Sequence, residues 1–180
     1  MKKIIPIIAL FFFCLSCNEQ TKEKVDFIEA RITRYAVLER SRETIVLRKV
    51  EKDWNAMILG DGLFGSCNYQ RIGKSKSSLE DLWKKLVDEG LLEIPEGKFR
   101  SDCCTDGHGY EVELFYQDKL KRYSFHIPEQ IDSKEAKQIQ NIGNLLSSEF
   151  EIPMFYADYS RKDISDYLFK SCESNQNKQN

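Results

Sequence analysis

Residues 110–127 read YEVELFYQDKLKRYSFHI, and this stretch decides the fold. Tyr110, Val112, Leu114 and Tyr116 alternate with Glu111, Glu113, Phe115 and Gln117, the period of two that turns one face of a β-strand toward a core. A turn centred on Asp118 and Lys119 would start a second strand, with Lys121, Tyr123, Phe125 and Ile127 on the same side as the first set. That side is expected to be core. The other side carries Glu111, Glu113, Phe115 and Gln117 beside Leu120, Arg122, Ser124 and His126, and is expected to face solvent, with Phe115 available there to a partner.

A hairpin with one apolar face needs a cover, and the flanking sequence supplies it. Between about 78 and 89, Leu79, Leu82, Trp83, Leu86 and Val87 recur at helical spacing, Ser77 and Glu80 are spaced as a capping box, and Gly90 supplies the stop. A second helix, about 133–149, starts with Asp132 and Glu135, presents Ala136, Ile139, Ile142, Leu146 and Phe150, and stops before Pro153. Asp163 to Lys170 reads as a short helix through Ile164, Tyr167 and Leu168 or as an edge strand, with the helix favoured.

Upstream, three β-leaning runs, Phe27 to Val37, Glu43 to Val50 and Trp54 to Leu59, are separated by the polar breaks Glu39 to Arg42 and Glu51 to Asp53. Gly60 to Ser77 is a Gly-, Ser- and Asn-rich loop with a short strand around Tyr69 to Ile72. These elements predict an α+β fold: an antiparallel sheet of about five strands with two helices packed on one face.

The N-terminus carries an address. MKKIIPIIALFFFCLSC begins with Lys2 and Lys3, continues in an apolar run from Ile4 to Leu15, and ends with Ser16 and Cys17. That is the layout of a secretory signal, and the run is shorter than the ~20 residues a spanning helix needs. Leu15, Ser16 and Cys17, with Cys14 at −3, resemble the lipobox of bacterial lipoproteins, in a looser form similar to that of Bacteroidota. The resemblance implies a diacylglyceryl group on the Cys17 thiol, cleavage before it, and stable membrane attachment through two or more acyl chains. The expected organisation is a signal peptide over 1–16, a lipidated Cys17 and polar tether over 17–26, one domain over 27–170 and a polar tail over 171–180. The expected location is the cell envelope outside the cytoplasm, at the outer membrane.

The chain holds 27 Lys and Arg against 29 Asp and Glu, and loss of Lys2 and Lys3 with the signal takes the net charge to about −4. No basic excess points to nucleic acid. The mature part keeps Cys67, Cys103, Cys104 and Cys172 besides the anchor, and in an oxidising compartment these four are candidate disulfide cysteines. Neighbouring Cys103 and Cys104 are poorly placed to bond each other. A bond from Cys67 to one of them would close a loop of about 36 residues and stabilise the fold by ~3 to 4 kcal/mol in the chain-entropy model. Cys172 is the other available partner.

Several motifs imitate chemistry. Gly60, Gly62 and Gly65 spell GxGxxG, but no helix opens at Gly65 and no βαβ unit surrounds it, so a glycine-rich turn is the better reading. Gly73, Lys74 and Ser75 end like a phosphate loop whose earlier glycine is replaced by Asn68. Cys67, Cys103 or Cys104, and His108 can be drawn around zinc, but the spacing matches no zinc knuckle and oxidation competes for the thiolates. Asp102 and Asp106 are too few and wrongly spaced for a calcium loop. His126 is positioned to pair with Glu111 across the hairpin, and His108 is read as an exposed turn residue. No catalytic residue, metal or cofactor is assigned on these grounds.

The mature sequence is similar to small lipoproteins in which a helix with a tryptophan, here Trp83, is followed by Gly90, Leu91 and Leu92, then Pro95 and a Tyr-rich hairpin. That resemblance implies no activity. The expected function is a lipid-anchored binding or structural module that recognises an envelope protein or glycan through the open face of the sheet or the Cys-bearing loops. An envelope inhibitor or immunity protein is one form of it. The alternative is a small extracytoplasmic hydrolase or thiol enzyme using Cys104, His108 and Asp106.

Overall fold

The computed structural model describes residues 26–38, 40–101, 107–155 and 161–176. Among them, seven strands form one sheet: β1 (Phe27–Ala36), β2 (Ser41–Val50), β3 (Asp53–Asp61), β4 (Asn68–Ile72), β5 (Gly97–Arg100), β6 (His108–Tyr116) and β7 (Lys119–His126). Three helices accompany it: α1 (Leu79–Asp88), α2 (Lys134–Phe150) and α3 (Arg161–Gln176). The strand order is β4-β3-β2-β1-β6-β7-β5, antiparallel throughout except where β5 joins β7 in parallel. The fold is α+β, with seven strands where about five were expected and three helices rather than two.

The first three strands form a meander because each break is short. At the first, the Arg40 N–H donates to the Val37 carbonyl, and at the second the chain turns at Glu51 and Lys52. Ile32 on β1 is in register with Ile45 on β2 and Val112 on β6, and Ala30 with Leu47 and Leu114. These side chains share one face and are fully buried. From β4 at one edge the chain crosses that face through α1 and reaches β5 at the opposite edge. Trp83 of α1 packs against Trp54 on β3 and Tyr116 on β6, with ring centroids 5.7 and 6.2 Å away. Ala136, Ile139, Ile142, Leu146 and Phe150 of α2 complete the core, as their spacing predicts.

The hairpin keeps its expected faces but shifts its pairing. Tyr116 opposes Lys119 and Phe115 opposes Leu120, so the turn residues are Gln117 and Asp118, both at positive φ. Two left-handed residues suit the twist of a two-residue hairpin turn. The displacement is an even number of positions, so no side chain changes face.

Both helix starts lie one residue beyond the expected caps. Ser78, not Ser77, accepts from the backbone N–H of Asp81, and Ser133, not Asp132, from that of Ala136. Ser77 is recruited elsewhere: its backbone N–H and hydroxyl donate to Glu149 Oε2 at 2.8 and 2.9 Å, while Lys85 donates to Oε1 at 2.8 Å. Burial alone would raise the Glu149 carboxyl, but these donors outweigh it and hold the group below its ordinary range. The carboxylate thereby joins the entry to α1 with the end of α2.

α3 is longer than the expected helix at 163–170 and carries Cys172 into the structure. Among the described residues, no helix is long and apolar enough to cross a membrane.

The cap assignment predicts that Ser78→Ala destabilises the protein by ~1 kcal/mol in urea unfolding, whereas Glu80→Ala stays within about 0.5 kcal/mol. A larger loss from Glu80→Ala than from Ser78→Ala would restore the Ser77 and Glu80 capping box.

Candidate functional site

The face turned away from α1 and α2 is built from the alternate residues of the same strands. Its centre is a transverse row in which each residue is the register partner of the next: Leu59, Thr44, Thr33, Glu111, Ser124 and Lys98. A parallel row, Met57, Val46, Arg31, Glu113 and Arg122, runs beside it. The two rows, apart from Met57, line a groove of about 570 Å³ on this surface. Six strands at ~4.8 Å spacing give it a length of about 24 Å.

Along the groove the chemistry changes. Leu59 and Val46 form an apolar end, and Val46 is only 3% exposed. In the middle the Thr33 and Thr44 hydroxyls bond each other at 2.8 Å. Charges follow toward β7 and β5: Arg122 Nε donates to Glu113 at 2.8 Å, while Lys98 and Glu111 border the groove. Beyond the second row, Glu29 accepts from Arg31 at 2.7 Å and Arg48 at 2.6 Å. Burial acts to raise the Glu29 carboxyl, but the two guanidinium groups outweigh it and lower it below its ordinary range. The arginines are thus held in place as hydrogen-bond donors, and the groove can offer apolar, hydroxyl and charged contacts in sequence.

A second polar constellation lies on the core face, under α3. Glu43 on β2 is fully buried; its Oε1 accepts from Tyr69 at 2.7 Å and from Tyr167 at 2.6 Å. Arg71 donates in turn to the Tyr167 hydroxyl. Oε2 is without a hydrogen-bond partner among the described residues. Burial pushes the Glu43 carboxyl up to about 7, against the opposing bonds from Tyr167 and Tyr69 and the charge of Arg71. The glycine pattern serves this cluster rather than a phosphate. A Cβ at Gly60 would overlap the Tyr69 ring, and one at Gly62 would lie 2.6 Å from Cys172 Sγ. Gly65 has φ +70° in the following turn.

Cys67 and Cys172 lie at disulfide-bonding distance, with Cα atoms 6.0 Å apart. The expected bond from Cys67 to Cys103 or Cys104 is therefore corrected. The reason is the long α3, which packs along β4 and brings Cys172 beside the β3–β4 loop. Cys17, Cys103, Cys104 and Asp106 lie outside the described residues, so neither the zinc drawing nor the thiol enzyme's nucleophile is placed. His108 is not simply exposed: its Nε2 is 2.5 Å from Glu129 Oε1. His126 is turned from Glu111 toward Tyr35, whose ring stacks on it and whose hydroxyl lies 3.3 Å from Nδ1. Phe115 is half-buried against Phe27, with centroids 5.4 Å apart. Glu43 and Arg34, which stacks 4.7 Å over the Tyr110 ring, are buried charges that sequence reasoning missed; their place in the same alternation as Ile32 and Ile45 is the signal that could have found them.

Two outcomes test this geometry. A carboxyl raised in the folded state stabilises the fold fully below its unfolded value of 4.5 and loses that contribution as pH rises through about 7. Urea unfolding should therefore lose on the order of 3 kcal/mol between those values, and Glu43→Gln should flatten that segment; an unchanged slope would contradict the buried acid. Cys172→Ser should cost ~2 to 5 kcal/mol and accelerate amide exchange in α3, whereas unaltered exchange there would contradict the pinning of that helix. Comparison of the chain with protein-family models, with curated proteins and with solved structures finds no match, so its function is argued from these two constellations.

Proposed function

We propose that this chain is a bacterial lipoprotein, anchored through Cys17 in the cell envelope, whose domain binds an extended polymer in the transverse groove. The observation that carries the reading is the groove itself: about 24 Å of surface that no described helix covers, made from two register-aligned rows on the central strands. Apolar, hydroxyl and paired ionic groups in sequence suit a glycan or a polypeptide segment lying across the strands. The side chains project from regular strands, so the surface is organised before a ligand arrives and loses little freedom on binding. Anchoring follows from the lipobox resemblance at Leu15, Ser16 and Cys17.

Two measurements decide the two halves of the proposal. Unreduced intact and peptide mass spectrometry of protein purified from its native membrane should find a chain beginning at Cys17 with diacylglyceryl mass; an unmodified Cys17 would remove the anchor. Isotope-labelled protein titrated with solubilised glycan-strand fragments and with envelope-derived peptides should shift resonances of Thr33, Thr44, Val46, Leu59 and Ser124. Thr44→Arg should weaken that response at least tenfold without unfolding the sheet. Shifts confined to α1 and α2 would overturn the groove as the site.

The thiol-enzyme reading has one observation in its favour, the Glu129 carboxylate on His108, because a base held by a third group is what such an enzyme requires. Stoichiometric alkylation of Cys104 at neutral pH, abolished by His108→Ala, would favour it; a bridged Cys104 would remove the nucleophile.

A further inference from the structure

The end of the sheet where β1 begins carries an apolar strip apart from the groove's two rows. Val50 on β2 is the register partner of Phe27 on β1, the Phe27 ring lies 5.4 Å from that of Phe115 on β6, and Phe115 is the register partner of Leu120 on β7. Val50 and Leu120 are 39% and 51% exposed, and the two rings are half-buried. A hollow of about 260 Å³ opens between Phe27, Phe115 and Leu120, walled by Glu29, Arg31 and Glu113. Of the neighbouring charges, Arg31 and Arg48 pair with Glu29, Arg122 with Glu113, and Lys49 with Asp26, while Glu51, Lys52, Asp53 and Lys119 at the adjoining turns are exposed. Four apolar side chains across four strands, bordered by charges of both signs, fit a partner with an apolar layer beneath a polar, zwitterionic or charged one.

The position of the strip names that partner. Phe27 is ten residues from Cys17, and ten residues of chain reach at most about 35 Å. A chain attached to a bilayer at Cys17 therefore holds this end of the domain beside the lipid at high effective concentration, where a weak contact is sufficient. Of the other exposed apolar side chains among the described residues, Val37 and Leu38 lie beyond the opposite end of β1, roughly 30 Å further along the strand, and Phe64, Ile72 and Phe169 lie on the β3–β4 loop, β4 and α3.

We propose that Val50, Phe27, Phe115 and Leu120 rest in the interfacial layer of the bilayer that holds the anchor. This rests on the lipid-anchored reading. It sets the strands upright on the membrane and the groove parallel to it, because Arg31 and Thr33 are four and six residues along β1 from Phe27, about 14 to 20 Å, and two and four residues from the level of Phe115 and Leu120, about 7 to 14 Å.

The test is methyl NMR of the full mature chain on nanodiscs of phosphatidylethanolamine and phosphatidylglycerol containing a lipid spin-labelled near its headgroup. The chain is held either by its native lipid or by an N-terminal histidine tag on a nickel-chelating lipid. Val50 and Leu120 methyls should be broadened at least fivefold more than those of Val37 and Leu38, and Leu120→Glu should abolish the difference while leaving the core methyl spectrum unchanged. Equal broadening at both ends, or concentration-dependent broadening without spin label from a second copy of the chain, would overturn the proposal. The tag-held form separates the two readings: loss of lipid at Cys17 would remove the anchor, while the methyl pattern would still decide the docking.

Discussion

Ile32 of β1 lies between Ile45 of β2 and Val112 of β6, and all three are sealed from solvent. Burying that layer is the constraint on which the rest of the structure depends. A sheet this wide has two faces, and α1 and α2 are committed to one by Leu82, Leu86, Ile139, Ile142 and Leu146. At roughly 1.5 to 3 kcal/mol for each fully buried aliphatic side chain, exchanging the faces would forfeit the main stabilisation of the fold. Since strand side chains alternate strictly, fixing Ile32 inward also fixes Arg31 and Thr33 outward. The groove is the other half of the register that makes the core.

The same alternation carries charge inward at one end. Continuing β1 and β2 past the apolar layer brings Arg34 and Glu43 onto the core face, where an isolated charge is costly. The structure answers with Tyr110 stacked under Arg34 and with Tyr69 and Tyr167 bonded to Glu43. α3 supplies one of these hydroxyls and is joined to the β3–β4 loop through Cys172. The amphipathic pattern of α3 is weak, with Ile164, Tyr167 and Leu168 turned inward and Phe169 left outside, so its position depends on these specific bonds more than on broad burial.

Most of the core was legible because periodicity survives local error. The hairpin pairing moved by an even step, which kept every side chain on its expected face, and each cap moved by one residue without changing the buried stripe of its helix. β5 was missed because Gly97 to Arg100 holds one apolar side chain, Phe99, whose stacking 4.5 Å from Phe125 is a tertiary fact. α3 was read too short because Ser171 to Gln176 is polar, and its Cys172 finds Cys67 across 105 residues of sequence, a pairing that local pattern does not carry. The glycines of 60–65 were rightly read as a turn, but why Gly60 and Gly62 must lack a Cβ depends on Tyr69 and Cys172 arriving from other elements. The groove was legible only as an outward face; its rows required the register of six strands.

The groove proposed as the polymer-binding surface is raised on the strands that the core packs from the other side. Its most direct test is site-specific photocrosslinking in living cells, with a photoreactive residue placed in turn at Thr44 in the groove and at Lys84 on the outer side of α1. Ultraviolet light should yield a discrete adduct from position 44 and none from position 84. Adducts from position 84 alone would place the working surface on the helical side and contradict the account.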